Sequence, residues 1–177
     1  MTFKTTNAHG GDDGKDEYLT PRWIIEELGR FDLDPCSPVN RPWPTAIIHY
    51  TIDDDGLKMP WGKTTRVWMN PPYGHVIRQW MKRMAEHQNG IALVFARTDT
   101  EWWRESVWEK AHAILWLYGR LVFCDLDGEP HRSKKTGKPQ SAGAPSVLIS
   151  YSQEDTWSLL KLKLENRGWL TILEKRG

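Results

Sequence analysis

The run Arg66-Val67-Trp68-Met69 stops abruptly at Asn70-Pro71-Pro72-Tyr73, and this junction constrains the fold more than any other stretch of the chain. A short apolar run bounded by turn residues reads as a buried strand. Two successive prolines forbid the strand to continue and stiffen the turn. Gly74 permits an unusual backbone conformation immediately afterwards. Val76, Ile77, Trp80, Met81 and Met84 then fall on one face of a helix. A strand that ends in a rigid polar turn and feeds a helix is the unit of an α/β sheet, and open sheets of that class place their ligands at the carboxyl ends of the strands.

The rest of the chain repeats the alternation. Thr20-Pro21 reads as a helix cap followed by proline in the first turn, with the helix running through Leu28 and ending at Gly29. Strands are expected at 31–33, 46–50, 66–69, 91–95, 113–118, 121–123, 146–151 and 169–173. Helices are expected from about 75 to 88, from a cap at Thr98 or Asp99 to about 110, and from about 155 to 166. Together these predict a central, mostly parallel sheet with helices on both faces. Residues 1–16 are polar, rich in Gly and Asp and without periodicity, so they are expected to form a disordered tail. Residues 17–177 are expected to form one domain, with a basic loop near 125–143.

Composition narrows the function classes. With 177 residues the chain is long enough for a real core. Lys+Arg 24 against Asp+Glu 23 leaves almost no net charge, so any surface for a polyanion must come from local clustering. No apolar run approaches the ~20 residues of a membrane span. Cys36 and Cys124 are far apart and form no CxxC pair, which argues against a metal site and fits a reducing cytoplasm.

The tetrad suits one chemistry in particular. The exocyclic amine of a nucleobase is a poor nucleophile, because its lone pair is delocalised into the ring. Two acceptors set on its hydrogens localise that lone pair and aim it. The Asn70 side-chain oxygen and the Pro71 carbonyl are candidates, held still by Pro72, and preorganised dipoles of this kind are usually the largest catalytic contribution. Tyr73 offers a flat face for a base. The same string also occurs in ordinary turns, and similar acceptors serve enzymes that methylate protein glutamine.

The ordered set of motifs resembles the phage and prophage DNA N6-adenine methyltransferases (phage Dam family), which use S-adenosylmethionine. The resemblance is carried by Tyr18-Leu19-Thr20-Pro21, Phe31-Asp32-Leu33-Asp34-Pro35-Cys36-Ser37, Asp54-Asp55-Gly56-Leu57, Trp61 and Trp68 to Gly74. It continues through Ala96-Arg97-Thr98-Asp99-Thr100, Gly119-Arg120-Leu121-Val122-Phe123 and Ala144-Pro145-Ser146. It implies a Rossmann-like methyltransferase fold acting on double-stranded DNA, without metal, in the cytoplasm of a bacterial host. Asn70, Pro71, Pro72 and Tyr73 would be the catalytic turn.

The cofactor and DNA contacts follow from the same comparison and from residue chemistry. The resemblance places Asp34, with Pro35 and Cys36, at the first cofactor motif; Asp34 could instead cap a turn. It matches Asp55, and next Asp54, to an element that contacts the cofactor adenine, although three adjacent acids also suit a solvated turn. Thr20 could meet the methionine carboxylate, or simply cap its helix. After Asp34 the chain reads Cys36-Ser37-Pro38-Val39-Asn40, with none of the Gly-x-Gly that most such enzymes carry. Lys134 and Lys135 lie in the one dense basic run, a candidate for the phosphate backbone or a plain surface loop. Arg41-Pro42-Trp43-Pro44 is a second possible DNA contact or a loop stiffener. Thr98 and Trp102 follow a core strand and would line the site by resemblance. A protein or RNA acceptor, cytosine N4, and a non-catalytic DNA-binding module remain as alternatives. Oligomeric state and target sequence are not legible.

Overall fold

A computed structural model of the chain describes residues 18–174; the polar stretch 1–16 lies outside them. The first helix, α1 (Arg22–Leu28), buries Ile24 and Leu28 and ends where Gly29 turns to φ 84°. Pro21, not Thr20, precedes its first turn, and no side chain caps it. The expected Thr20 cap is absent: Thr20 lies one position before the N-cap, and its hydroxyl accepts from another side chain, described below.

Three short strands follow: β1 (Leu33–Asp34), β2 (Ile48–His49) and β3 (Val67–Met69). A 3-10 turn at Gly74–Val76 leads into α2 (Ile77–His87), which buries Ile77, Trp80, Met81, Met84 and Ala85 along the predicted stripe. The next strand, β4 (Gly90–Phe95), is buried at every position. The helix expected from Thr98 or Asp99 begins later. Its α-helical part, α3, is only Glu101–Trp103 and widens into a π turn at Arg104–Trp108. The Thr100 hydroxyl donates to the Arg97 carbonyl instead of capping it.

The chain closes with β5 (Ala113–Leu117), β6 (Ser146–Ser150), α4 (Gln153–Leu164) and β7 (Gly168–Ile172). The strand expected at 121–123 does not form. Leu121 and Phe123 are buried, but the segment makes only isolated bridges, through Cys124, to Leu19 and Pro130. Its apolar alternation reflects burial rather than ladder pairing.

The seven strands form one sheet in the order β2-β1-β3-β4-β6-β5-β7. The expectation of a mostly parallel sheet is corrected. β1 pairs in parallel with β2 and β3, and β3 with β4, while β6 runs antiparallel to β4 and β5, and β7 antiparallel to β5. The parallel half belongs to the βα crossovers. The antiparallel half begins where the loop after β5 turns the chain back into β6, between β5 and β4; α4 then crosses from β6 to the outer strand β7, which runs with β6 and against β5.

Helices cover both faces. Ser150 pairs with Ala113, and its hydroxyl meets Thr156 of α4. Trp116, three residues further along β5, packs on Trp103 of α3. Successive strand side chains alternate between faces, so α4 and α3 lie on opposite sides. At the edge holding the amino ends of the parallel strands, Arg66 anchors the layers. It meets the fully buried Asp155 of α4 at 2.7 Å, donates to Leu28 and Arg30 carbonyls, and lies over the Phe31 ring.

Candidate active site

The parallel pairings put the carboxyl ends of β1, β2, β3 and β4 along the opposite edge. The chain leaves β1 for β2 on one side, then returns to β3 on the other. The crevice between β1 and β3 is therefore where strand order reverses, the position open α/β sheets use for ligands. Asp34 ends β1 there, and Asn70 directly follows β3.

Asn70 is half-buried, and its side-chain Nδ2 donates to the Thr20 hydroxyl at 3.3 Å. That contact orients the amide and leaves Oδ1 without a protein donor among the described residues. Pro71 is buried and Pro72 half-buried, so the turn is packed as well as stiff. Tyr73 is 6% exposed. Its hydroxyl accepts from the Phe95 amide at 2.5 Å, and its ring stacks on Phe95 with centroids 4.7 Å apart. Burial pushes the Tyr73 hydroxyl above its ordinary pKa, so it stays neutral. This placement leaves little of the ring for a base; its visible work is to fasten the turn to the end of β4.

Asp34 is 3% exposed. Its two oxygens accept from the Cys36 amide at 3.1 Å and from the Thr45 hydroxyl at 2.5 Å. Burial raises its pKa to about 6, opposed by those hydrogen bonds and by the charge of Arg41. The chain thus closes a tight turn on Asp34 itself in place of a glycine-rich loop. Burial first, and then the Asp34 charge, hold the Cys36 thiol well above its usual pKa. A protonated thiol is a poor nucleophile, so Cys36 is unsuited to covalent attack on a base. The Asn70 backbone amide faces the Cys36 sulfur, which ties the β1 and β3 turns together.

The acidic loop after β2 is pressed onto the same place. A Cβ on Gly56 would fall 1.7 Å from the Pro35 carbonyl oxygen, so only glycine permits this approach. The Trp61 indole donates to the Gly56 carbonyl at 2.9 Å, and Arg83 donates to the carbonyls of Leu57 and Met59. Asp54 accepts from the Thr51 amide and hydroxyl, the geometry of a turn cap. Asp55 has φ 53° and pairs with Lys58 at 2.6 Å. Both carboxylates are exposed.

The remaining candidates separate. Thr98 is exposed just past β4, at the edge shared with the tetrad. Trp102 is 8% exposed and packs on the fully buried Trp103, so both tryptophans are largely core. The basic segment folds into a hairpin-like loop through bridges Cys124 to Pro130 and Arg132 to Pro139. Lys134 and Lys135 are exposed at its tip. Its base pairs with Leu19, one residue from Thr20. His131 is buried there, 3.0 Å from Asp125 and edge-on to Tyr18. Arg41 donates to the Pro38 carbonyl at 2.8 Å, while Pro42 and Trp43 crowd Gly128 of the basic loop. The 41–44 segment is therefore a strut between the two loops. Thr45 and His49 carried no sequence signal; folding alone brings Thr45 to Asp34 across eleven positions.

Among the described residues, no helix is long and apolar enough to cross a membrane, and no cluster of three His, Cys, Asp or Glu side chains is arranged to hold a metal ion. A family model for DNA N-6-adenine-methyltransferase (Dam) matches residues 7–162. A DNA N-6-adenine-methyltransferase of Escherichia phage T1 is 29% identical over 167 aligned residues, covering 86% of this chain and 68% of the relative. No solved structure matches the chain. With a free amide acceptor beside a buried carboxylate at the reversal of strand order, and a family match over most of its length, the chain belongs to the DNA N-6-adenine-methyltransferase (Dam) family and is a DNA adenine methyltransferase.

Proposed function

We propose that this enzyme methylates the N6 amine of an adenine flipped out of double-stranded DNA, by direct attack on the methyl group of S-adenosylmethionine. The observation that carries the reading is the Asn70 amide: its nitrogen is held by Thr20, and its oxygen has no donor among the described residues. In this reading the Asn70 oxygen and the Pro71 carbonyl accept the two amino hydrogens, drawing the lone pair out of the ring. No general base is required before attack, since the nitrogen becomes acidic only on alkylation. Pro72 and Tyr73 keep the acceptors in place. The strand order β2-β1-β3-β4 favours a Rossmann-like methyltransferase fold for the parallel half.

The polar groups at this edge suit the cofactor. Bound S-adenosylmethionine supplies a methyl group on a positively charged sulfur. Asp34 offers a buried acceptor, with Pro35 and Cys36 forming the turn beneath it, and Asp54 and Asp55 offer exposed acceptors for hydroxyls or an amine. Thr20 stands between this site and the tetrad. On the DNA side, Lys134 and Lys135 reach the phosphate backbone and Thr98 faces the base at the mouth. Trp102 backs that wall from the core. Extruding the base costs a few kcal/mol, recovered from contacts in the pocket.

The test is incubation of the protein with unmethylated duplex DNA and S-adenosylmethionine, digestion to nucleosides, and mass spectrometry. N6-methyladenine that disappears with Asn70→Ala is the expected result. Methylated cytosine, or no methylated base despite measured cofactor binding, would sink the reading.

A further inference from the structure

Between β1 and β2 the chain makes a strap, residues 35–46, that returns to the end of β1 through one buried hydroxyl. Thr45 is buried, and its Oγ1 donates to Asp34 Oδ2. The strap is fixed on both sides of that contact. Pro42 and Trp43 crowd Gly128 of the basic loop. The Thr45 and Ala46 amides both donate to His49 Nε2 at 3.2 Å. Burial, and then the charge of Arg41, hold His49 down at about 4, so its ring is an unprotonated acceptor at neutral pH. Thr45 therefore has little freedom to do anything but face Asp34.

We propose that Thr45 is a positioning residue of the methyl-donor site, setting which way the Asp34 carboxylate faces and keeping it charged for the ligand. This rests on the cofactor reading of Asp34 given above. A buried carboxylate meets a large desolvation cost, and a donor that stabilises the anion offsets part of it. The groups around Asp34 are few: Arg41 is the cation whose charge acts on it, the Cys36 thiol stays protonated, His49 is neutral, and Asn70 across the crevice is uncharged. Cys36 gives Asp34 its backbone amide and its protonated thiol, a weak donor, so Thr45 supplies the strong side-chain hydrogen bond that a single substitution removes.

Asp34 titrates at about 6, so a ligand that needs the anion binds well above that pH and is lost as pH falls through it. Removing the Thr45 hydroxyl weakens the anion and moves the midpoint upward, by about one pH unit for loss of a hydrogen bond to a charged group.

The experiment measures S-adenosylmethionine binding by calorimetry from pH 5 to 8 for the wild type, Thr45→Val, Thr45→Ala, Thr45→Ser and Asp34→Asn. Alongside it, the Asp34 carboxyl is titrated by NMR in the ligand-free protein, with thermal unfolding as a check on folding. Expected are a midpoint near 6 in the wild type, an upward shift in the Val and Ala variants by both measurements, and recovery in Thr45→Ser. An unchanged midpoint in both hydroxyl-free variants overturns the proposal while leaving the cofactor reading intact. So does an equal shift in Thr45→Ser, which would make Thr45 a matter of packing. Wild-type protein that binds no S-adenosylmethionine at any pH removes the cofactor reading, and this proposal with it.

Discussion

The Asn70 amide nitrogen and the Thr20 hydroxyl meet at 3.3 Å, joining the turn after β3 to the segment that enters α1. Asn70 is therefore held by a residue fifty positions earlier in the chain. Thr20→Val keeps the shape and removes the acceptor, so the amide is free to rotate. The expected outcome is a fall in single-turnover methylation of about tenfold to a hundredfold, with S-adenosylmethionine affinity nearly unchanged. A rate equal to wild type would show that the Asn70 rotamer is set by something else.

Tyr73 separates two roles that a single alanine substitution would confuse. Tyr73→Phe retains the ring stacked on Phe95 and removes only the hydroxyl that accepts from the Phe95 amide. Losing this hydrogen bond inside the core costs about 0.5–1.5 kcal/mol. Denaturant unfolding should show that loss. If the ring face also serves a base, activity at low temperature should survive the substitution; if the hydroxyl holds the tetrad in register, turnover should drop with stability.

Arg66 and Asp155 carry a stability prediction far from the chemistry. Asp155 is fully buried and meets Arg66 at 2.7 Å. Arg66→Ala leaves that buried carboxylate without its cation, although the Ser152 hydroxyl still donates to it, and should cost about 3 kcal/mol in urea unfolding. Replacing both residues with Met and Leu should recover most of the loss, because the pair's mutual attraction chiefly repays its own desolvation. A double variant as unstable as the single one would point instead to the carbonyls of Leu28 and Arg30 that Arg66 also binds.

Lys134 and Lys135 are expected to act on every DNA sequence alike. Replacing both with Ala should lower the slope of log affinity against log salt by about two, with little change in sequence preference. A slope that does not move would return the basic tip to the status of a solvated loop.

Much of this architecture was legible because periodicity reports burial. The stripe Ile77, Trp80, Met81, Met84 appears where it was predicted, and β4 is buried throughout. The tetrad announced the end of a strand because prolines act locally. Direction of pairing was not legible: an apolar run such as 146–150 looks the same whether its neighbour runs with it or against it, and β6 runs against both. Nor was the distinction between buried and laddered at 121–123, since both hide the same side chains. Within the site, Asp34 and Asn70 carried signals of their own, whereas Thr45 and Thr20 matter through partners that only folding supplies. Tyr73, which offered a flat face for a base, and Trp102, expected to line the site, are both mostly enclosed.

The basic loop leaves the sheet after β5 and rejoins it at β6, and those two strands lie side by side with Trp116 opposite Val147. Its entry and exit are thus neighbours, and its outermost bridge, Arg132 to Pro139, is made within the loop itself. Loop length and composition there can change with little entropic penalty to the sheet. On the proposed reading, in which Lys134 and Lys135 at its tip meet DNA, the contact surface sits on the scaffold like an interchangeable bit in a chuck, so target preference can change without rebuilding the catalytic edge.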